Sequence, residues 1–422
     1  MPGEVCVVGA GVVGITSAWF LAEAGWSVTL LDRSGVAQGT SLRNGGQLSY
    51  RYVSPLADAG VPVKALQWLL ERDGPLRWKP QADGAQWRWL AQFVARCRGS
   101  VNRRTTQRLA RLGEHSRACL HALMAQQQLP PFAWQQPGKL VVYRTPALLA
   151  RASAGLPAGP APDDAVQQRW DVAQCLAHEP VLQGLAGRLA GGIFSRDEAV
   201  ADCHAFCFAL MQRLRAHPRF RGLVCDRALG FEPGAGAARL QLRCEAGVLG
   251  ADAFVLAAGI ASRHLAASAG LRLPLYPLKG YSLDAPIGAG HVPPRASITD
   301  FERKLLYARI GERLRIAAMV DLVGEDERID PARLASLLRI ARADLPAAGD
   351  YDQAQPWAGL RPATPGGAPI VGASPVPGLW LNVGHGALGF TFACGTASLL
   401  AEAMAGRPTT LPLDGLAWGA DT

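Results

Sequence analysis

The sequence lacks the cysteine pairs that mark disulfide scaffolds and structural zinc sites. Its nine cysteines are an odd number and are scattered without any C-x-x-C pair, which is typical of reduced thiols in a cytosolic compartment. The closest two, Cys203 and Cys207, flank an apolar helical segment, and no second ligand pair follows them. We therefore expect both in a hydrophobic core and predict no metal site.

The sequence also lacks an uninterrupted apolar run long enough to cross a membrane. Its longest apolar stretch, residues 378–405, is broken by Asn382, His385, Glu402 and several glycines, so we expect a buried strand and helix there. The apolar beginning of the chain lacks the basic region of a signal peptide. We therefore expect a protein without a membrane span or a secretion signal.

Charge is modest, and lysine is scarce relative to arginine. Charged residues make up 18% of the 422 residues, and the formal net charge of +9 comes mostly from arginine. No nucleic-acid-binding motif with interleaved aromatic residues accompanies this charge, so we predict no nucleic-acid partner. The length and the 49% hydrophobic content predict two domains, or two interleaved halves, around a large core.

What the sequence does contain is a dinucleotide-binding signature at its start. A short apolar run precedes Gly9, Gly11 and Gly14, which complete G-x-G-x-x-G, and a helical pattern and a second β-rich run then end at Asp32. In this motif the glycines allow a tight turn, close approach of a pyrophosphate and close packing of helix on strand. Asp32 can accept hydrogen bonds from a ribose, although the neighbouring Arg33 leaves a 2′-phosphate open. The context predicts a bound adenine dinucleotide.

Two further glycine-rich stretches are candidates for ligand contacts. The loop at residues 39–55 supplies hydroxyl groups, an amide and paired glycines directly after the dinucleotide unit. Near the other end of the chain, a turn at residues 384–389 lies between a predicted strand and a helix that begins at about Thr391. Such a turn directs N–H groups and a positive dipole end at an anionic group. An ordinary loop and an ordinary strand-to-helix turn are the alternatives.

Residues 65–128 are predicted to be helical and combine tryptophan with arginine. Trp68, Trp78 and Trp87 are among the aromatic residues that alternate with arginines here. This surface could lie on an anionic membrane, with rings at the headgroup level and arginines on phosphates. Equally, the aromatic residues could be core and the arginines a solvated face. Residues 158–164 read as a loop or linker.

The remainder of the chain has an α/β pattern. Asp202 is the predicted N-cap of an amphipathic helix, and residues 251–259 predict a buried strand that ends in small residues. Residues 275–283 and 314–319 predict strands of a separate sheet. Arg361 stands between Leu360 and Pro362, where the proline stiffens the backbone.

Together these segments resemble the D-amino-acid-oxidase-type family of FAD enzymes and, within it, the bacterial D-amino-acid dehydrogenases. The resemblance covers nearly the whole chain and rests on VVGAGVVGITSAWFLAEAG with LLDR, TSLRNGGQLSYRYVSPLADAGVP, GGIFSRDEAVADC, YPLKGYSL, WAGLRPATPGGAPIVG and LWLNVGHGALGFTFACG. It implies an α/β fold class with a discontinuous Rossmann-like FAD-binding domain (parallel sheet) and an α+β substrate domain with an antiparallel sheet. On this basis we assign residues 1–60, 190–270 and 345–422 to the FAD-binding domain, and residues 61–189 and 271–344 to the substrate-binding domain.

The resemblance also implies roles for individual residues. Arg361 matches the arginine that pairs with the substrate carboxylate, a task suited to a planar bidentate donor. Tyr52 and Tyr281 join Arg361 as candidate catalytic or pocket residues. The residues expected to bind FAD are Gly9, Gly11, Gly14, Asp32, Arg33, Ser41, Asn44, Gly45, Gly46, Gln47, Gly259, Gly384, His385, Gly386, Leu388 and Gly389.

The chain departs from the bacterial dehydrogenases at two places. It carries Tyr50 and Arg51 where they often have Pro-Gly, and Ala317 and Ala318 where they have Gly-Gly. We expect both places to lie where the shape of the substrate is recognised.

The activity implied is oxidative deamination of a D-amino acid to a 2-oxo acid and ammonia. Hydride would pass from Cα to the flavin, and electrons would then reach a quinone, the respiratory chain or another non-oxygen acceptor. The alternatives are an oxygen-using oxidase of glycine, sarcosine or a cyclic imino acid, and a flavin subunit of a larger membrane-associated complex. An NAD(P)-dependent enzyme is disfavoured because the second glycine turn and Arg361 would have no function in it. We expect a cytoplasmic protein, peripheral on the inner face of the membrane if residues 65–128 contact lipid.

Overall fold

The computed structural model describes residues 3–71, 73–156, 165–234 and 240–419. The linker predicted at residues 158–164 lies outside the described residues. The helices are α1 Val12–Glu23, α2 Val61–Leu70, α3 Gly84–Arg96, α4 Gly99–Gln127, α5 Pro146–Ala152, α6 Val172–His178, α7 Cys203–Arg215, α8 Ser262–Ser268, α9 Pro331–Asp344 and α10 Gly389–Met404, and 3-10 segments cover Pro180–Arg188, Gly259–Ala261 and Gly386–Leu388. The strands are β1 Glu4–Val8, β2 Ser27–Asp32, β3 Gln47–Leu48, β4 Leu76–Trp78, β5 Lys139–Tyr143, β6 Gln167–Trp170, β7 Gly191–Ser195, β8 Ala199–Val200, β9 Phe220–Cys225, β10 Ala228–Pro233, β11 Leu240–Cys244, β12 Val248–Gly250, β13 Ala253–Leu256, β14 Tyr276–Pro286, β15 Ser297–Asp300, β16 Leu305–Ile310, β17 Arg313–Leu322, β18 Gln355–Ala363, β19 Ile370–Ala373 and β20 Leu379–Val383.

The dinucleotide signature lies in a sheet whose strands come from distant parts of the chain. Within the described residues its order is β19-β20-β13-β1-β2-β9. The pairs β1–β2, β1–β13, β13–β20 and β2–β9 are parallel, and the edge pair β19–β20 is antiparallel. We call it the parallel sheet. It confirms the predicted discontinuous Rossmann-like domain.

The side chains of β1 explain why this strand lies at the centre. Successive residues of a strand point to opposite faces, and both faces here are apolar. Val5 and Val7 pack with α1, α7 and α10, whereas Cys6 and Val8 pack with α8 and the small sheet β10-β11-β12. Such burial on both sides is typical of parallel strands.

A second, larger sheet confirms the separate sheet predicted from residues 275–283 and 314–319. Within the described residues its order is β18-β14-β17-β16-β15-β5-β7-β6, with β4 paired to β17. Its pairs are antiparallel except β15–β5 and β17–β4. One face packs against α9 through residues such as Leu283, Tyr307 and Ile316. The other face, which carries Lys139, Ser282 and Ser297, contacts the loop after β2; we call it the inner face.

The exact domain boundaries stay a prediction. The predicted ranges assign residues 191–195 and 355–363 to the FAD-binding domain, yet these residues form β7 and β18 of the large sheet. The difference arises because strand pairing is decided by contacts between segments far apart in sequence.

The apolar C-terminal stretch is a buried strand and helix, as predicted. Among the described residues, the helical stretch Gly386–Met404 is long and apolar enough to cross a membrane, but 67% of it is buried inside the fold. It packs against α1 and α4, where Thr16 Oγ1 donates to the carbonyl of Ala393 (3.1 Å) and Gly395 N donates to Ser116 Oγ (3.0 Å). These contacts mark it as a core helix.

The cysteines and the predicted N-cap also match their sequence interpretation. All nine cysteines lie in the described residues and are free thiols, and Cys203 and Cys207 belong to the core around α1. The Asp202 side chain caps α7 by accepting a hydrogen bond from Ala205 N at 3.0 Å.

Candidate active site

The first glycine turn has the geometry that a pyrophosphate requires. Gly9 has φ of +111°, and a Cβ on it would lie 2.5 Å from the Ala257 carbonyl oxygen. A Cβ on Gly14 would lie 1.7 Å from the Gly9 carbonyl oxygen, so α1 can pack on β1 only through a glycine. A Cβ on Gly11 would approach only Ser41 Oγ, at 3.3 Å. Gly11 therefore leaves space at the start of α1.

The start of α1 can accept an anionic group. Its first turn contains no acidic residue, and Gly11 supplies no capping side chain. Ser41 Oγ accepts a hydrogen bond from Val12 N at 3.0 Å, which fixes the predicted Ser41 beside the N-terminus. The helix dipole therefore presents a positive end here.

Asp32 is held rigidly at the end of β2. Its Oδ2 accepts a hydrogen bond from Ala10 N and its Oδ1 accepts one from Ser34 N, both at 2.8 Å. A carboxylate has about four acceptor sites, so half of them stay available for ribose hydroxyls. Arg33 is exposed, and Gly259, with φ of +59°, follows β13 beside the Gly9 turn. The residues present fit the adenosine and pyrophosphate half of a dinucleotide.

The loop at residues 44–47 connects the parallel sheet to the inner face of the large sheet. Asn44 Oδ1 accepts a hydrogen bond from Gly46 N at 2.8 Å, and the carbonyl of Asn44 accepts one from Arg315 on β17. Gly46 has φ of +67°. A Cβ on Gly45 would lie 3.2 Å from Leu306 and 3.7 Å from Ala317. Glycine therefore lets this loop lie directly on the large sheet.

The second glycine turn supports the start of α10. Gly384 and Gly386 have φ of +83° and +55°, and Leu388 and Gly389 lead into the helix, whose first turn contains no acidic residue. Thr391 Oγ1 accepts a hydrogen bond from Ser49 N at 3.1 Å. The two predicted cofactor loops therefore meet at this helix N-terminus.

His385 is a neutral member of the second glycine turn. Its Nε2 lies 3.1 Å from Thr396 Oγ1, and burial lowers the pKa of His385 to about 3. The imidazole therefore carries no charge at neutral pH. The positive potential supplied by the turn itself therefore comes from the helix N-terminus.

Arg361 lies on the inner face of the large sheet, next to the second glycine turn. Its Nη1 donates to the Met319 carbonyl at 2.8 Å, and a Cβ on Gly280 would lie 2.2 Å from the guanidinium. Burial lowers the pKa of Arg361 to about 10, against the opposing charge of Asp321, so the group stays protonated at neutral pH. The bridge between Ala363 and His385 joins the end of β18 to the turn.

Tyr281 does not lie with Arg361. Gly280 shares the face of Arg361, and strand alternation turns Tyr281 to the opposite face, where it joins the core against α9. Its hydroxyl donates to Asp321 Oδ2 at 3.2 Å, and burial raises the pKa of Tyr281. A structural role fits this position better than the predicted catalytic one.

Tyr52 lies on the inner face, but at the β5 end of the sheet. Its ring centroid is 4.8 Å from Lys139 Nζ, and it packs with Val141 and Tyr143. Burial raises the pKa of Tyr52. Tyr52 is therefore a neutral phenol at physiological pH.

The two departures from the bacterial pattern occupy different surroundings. Ala317 faces the Gly45 loop on the inner face, whereas Ala318 lies in the core against α9. Tyr50 is buried in the core around α1. Arg51 forms an ion pair with Asp197 at 2.9 Å. Of these four residues, only Ala317 lies in the predicted substrate region.

Sequence reasoning missed two buried charges beside these loops. Lys139 contacts Gln47 and Ser49, and Glu198 accepts hydrogen bonds from backbone N–H groups that follow them in the chain. The only available signal was a lysine that begins the apolar run of β5.

A Rossmann-like sheet with two glycine turns at helix N-termini, placed beside a large sheet that carries a half-buried arginine, defines a two-domain flavin oxidoreductase. The chain belongs to the DAO family of FAD-dependent oxidoreductases, whose family model matches residues 4–403. FAD is therefore its cofactor.

Curated relatives match along almost the entire chain. D-amino acid dehydrogenase 2 of Pseudomonas aeruginosa is 52% identical over 419 residues, which are 99% of this chain and 98% of the relative. D-amino acid dehydrogenase 2 of Ralstonia nicotianae is 46% identical and covers 96% of this chain and 97% of its own length.

Solved structures share the fold at low identity. Glycine oxidase from Geobacillus kaustophilus superposes with a TM-score of 0.72 at 20% identity, covering 99% of this chain and 98% of its own. L-proline dehydrogenase from P. horikoshii gives a TM-score of 0.73 at 15% identity, covering 99% and 96%. They confirm the predicted fold class.

Proposed function

We propose that this protein is a D-amino-acid dehydrogenase. It oxidises the Cα–N bond of a D-amino acid, and the imine hydrolyses to a 2-oxo acid and ammonia. The observation that carries the proposal is Arg361, a half-buried cation on the inner face of the large sheet beside the second glycine turn. The names of the two relatives described above support the class of substrate.

Arg361 would bind and orient the substrate through its carboxylate. A guanidinium has five N–H donors, and the bond to Met319 O occupies one of them, so the others can form a bidentate pair with a carboxylate. The bond to Met319 and the tight contact with Gly280 restrict the rotamers of Arg361. Its charge can therefore place Cα reproducibly.

FAD, when bound, supplies the hydride acceptor. The chain would contribute positioning and a fixed electrostatic environment rather than a strong base. The N-terminus of α10 favours negative charge nearby, and the neutral His385 adds no titrating charge. The proposed cofactor contacts are those named from the sequence, with Gly9, Gly11 and Asp32 at one end and the turn at residues 384–389 at the other.

An anaerobic titration tests the proposed reaction. The purified yellow protein is mixed with individual D- and L-amino acids, and bleaching of the flavin absorption is recorded. We expect D-amino acids to bleach it and their L-enantiomers to leave it oxidised. Bleaching by L-amino acids alone, or by none of the compounds, would contradict the proposal.

The electron acceptor is proposed to be a quinone or a component of the respiratory chain. Turnover is compared with oxygen alone and with an added soluble quinone. We expect the quinone to raise turnover at least tenfold. Equal turnover with oxygen alone would instead indicate an oxidase.

We also propose that α2 and the Trp/Arg-rich residues 65–128 contact an anionic membrane from the cytoplasmic side. Support comes from α2, which buries none of its residues and exposes Val63, Leu66, Leu69 and Leu70, the last by 89%. Exposed apolar side chains, in a region that also exposes Arg77 and Arg88, suit a lipid surface. The nine free thiols suit a reducing compartment.

Vesicle sedimentation tests this contact. The protein is mixed with anionic and with zwitterionic vesicles, and the double variant Leu66→Glu, Leu70→Glu is compared with Val292→Glu. Val292 is also exposed, by 51%, but lies elsewhere on the surface. We expect the native protein and the control to sediment with anionic vesicles and the double variant to stay in solution. Equal sedimentation of all three would refute the contact.

A further inference from the structure

A buried lysine lies directly beneath the segment that follows the proposed flavin loop. Lys139 is 1% exposed, and its Nζ donates to Gln47 Oε1 and, at 2.9 Å, to Ser49 Oγ. Gln47 Nε2 in turn donates to Ser297 Oγ at 3.1 Å. One ammonium on β5 therefore holds two side chains of the segment at residues 47–52.

A buried carboxylate holds the backbone of the same segment. Glu198 is 1% exposed, and its two oxygens accept hydrogen bonds from Tyr50 N at 2.8 Å and Arg51 N at 2.7 Å. The Glu198 carbonyl accepts a hydrogen bond from Gly138 N, next to Lys139. The cation therefore holds the segment from β5, and the anion holds it from the turn before β8.

The two charges compensate each other. Burial lowers the pKa of Lys139 and raises the pKa of Glu198, and each charge opposes the shift of the other. Burial of either charge without the other would destabilise the folded protein, because a single buried charge loses its hydration without compensation. The pair is therefore expected to act as one unit.

The segment they hold also reaches the second glycine turn. Ser49 N donates to Thr391 Oγ1 in the first turn of α10, and β3 pairs with β8 through Gln47 and Val200. Lys139 bonds the side chains of Gln47 and Ser49, and Glu198, directly before β8, bonds the backbone that follows, so both charges restrain this short pairing. A shift of the segment would move Gln47 and the start of α10 relative to each other.

We propose that Lys139 and Glu198 form a buried charge pair that positions residues 47–52 for binding of FAD. The inference rests on the proposed cofactor role of the loop at residues 44–47. Lys139 is a positioning residue, because it acts through Gln47 and Ser49. This positioning role does not depend on the identity of the substrate.

The test measures FAD affinity in the absence of substrate. Apoproteins of the native chain, Lys139→Met, Glu198→Gln and the double variant are titrated with FAD, and quenching of flavin fluorescence gives the dissociation constant. Lys304→Met is the matched control, because Lys304 Nζ also lies over an aromatic ring, that of Phe301, at 3.9 Å. Thermal unfolding of each apoprotein and the midpoint potential of each bound flavin are recorded as well.

We expect Lys139→Met to weaken FAD binding about tenfold, the effect of leaving buried acceptors without their charged donor, and to shift the midpoint potential. The double variant should be weakened by less than the product of the two single effects. Lys304→Met should bind FAD like the native chain. If Lys139→Met does not fold, Glu198→Gln alone must show the weakened binding.

The inference would be overturned if Lys139→Met had native FAD affinity and a native midpoint potential. If only Glu198→Gln folds, the same result in that variant would overturn it. Multiplicative effects in the double variant would also overturn it, because the two charges would then act independently. Because no amino acid is present, these outcomes are separate from any failure of the proposed dehydrogenase activity.

Discussion

Replacing Gly280 with alanine should displace Arg361 without unfolding the protein. A Cβ at this position would lie 2.2 Å from two guanidinium atoms of Arg361 and 2.5 Å from a third. Gly280 lies within strand β14, at the irregularity in its pairing with β17, and does not have positive φ, so alanine is compatible with its backbone conformation. The overlap is with the end of a flexible side chain, which can move. Arg361 would then leave the position in which we place the substrate carboxylate.

The expected effect follows from the contacts that would be lost. Hydrogen bonds to charged groups contribute about 1.5–3 kcal/mol each, so the loss of one lowers kcat/KM by about 10- to 200-fold. The assay is steady-state turnover of a D-amino acid with a quinone or dye acceptor, together with the FAD content of the purified variant. We expect KM to rise while FAD content stays native.

Gly250→Ala is the matched control. Gly250 also lies in a strand, β12, and a Cβ on it would have no atom within 4 Å, so this variant should behave like the native enzyme. A native kcat/KM for Gly280→Ala would refute the proposed position of the substrate. Loss of FAD from Gly280→Ala would show that the substitution disturbs the cofactor site instead.

Three further changes test separate parts of the site. Ala317→Leu fills space beside the Gly45 loop and should lower kcat/KM for bulky D-amino acids about tenfold more than for D-alanine; a uniform decrease for all substrates would contradict a role in side-chain selection. Gly46→Ala forces alanine into φ of +67° with its Cβ 2.8 Å from the Ala201 carbonyl oxygen, a strain of about 1–3 kcal/mol. FAD retention and the melting temperature should therefore both fall. Native values of both would contradict the strain expected at this position. The pKa of His385 is about 3 in the folded chain against an ordinary value of 6.5, so unfolding takes up a proton below about pH 6.5 and the free energy of unfolding should decrease as pH falls from 6.5 towards 3. His385→Gln should make this decrease shallower, as measured by denaturant unfolding across the pH series. An unchanged slope would show that His385 does not cause the pH dependence of the free energy of unfolding.

The features that could be predicted from the sequence are those with local causes. Gly9 is required by its positive φ and Gly14 by its contact with Gly9, both within one strand-turn-helix unit, so their spacing alone predicts the turn. Asp202 was predictable as an N-cap because its partner is Ala205. The family resemblance supplied Arg361, whose neighbourhood depends on strands far apart in the chain.

The features that could not be predicted depend on pairing between distant segments. The face occupied by Tyr281 follows from the register of β14 against β18 and from the irregularity between Lys279 and Tyr281, neither of which leaves a sequence pattern. Lys139 and Glu198 meet only because β5 and the turn before β8 lie beneath the same loop. For the same reason β7 and β18 lie in the large sheet, although the predicted boundaries assign their residues to the FAD-binding domain.

The most direct test of the proposed role of Arg361 is the rate of anaerobic flavin reduction by a D-amino acid in the native protein and in Arg361→Ala. Both proteins are purified with FAD bound, and the decrease in flavin absorption is followed after rapid mixing over a range of substrate concentrations. We predict fast reduction in the native protein and, in Arg361→Ala, a loss of at least about 100-fold in the apparent second-order rate constant with native FAD content. An unchanged rate constant in Arg361→Ala would contradict that role.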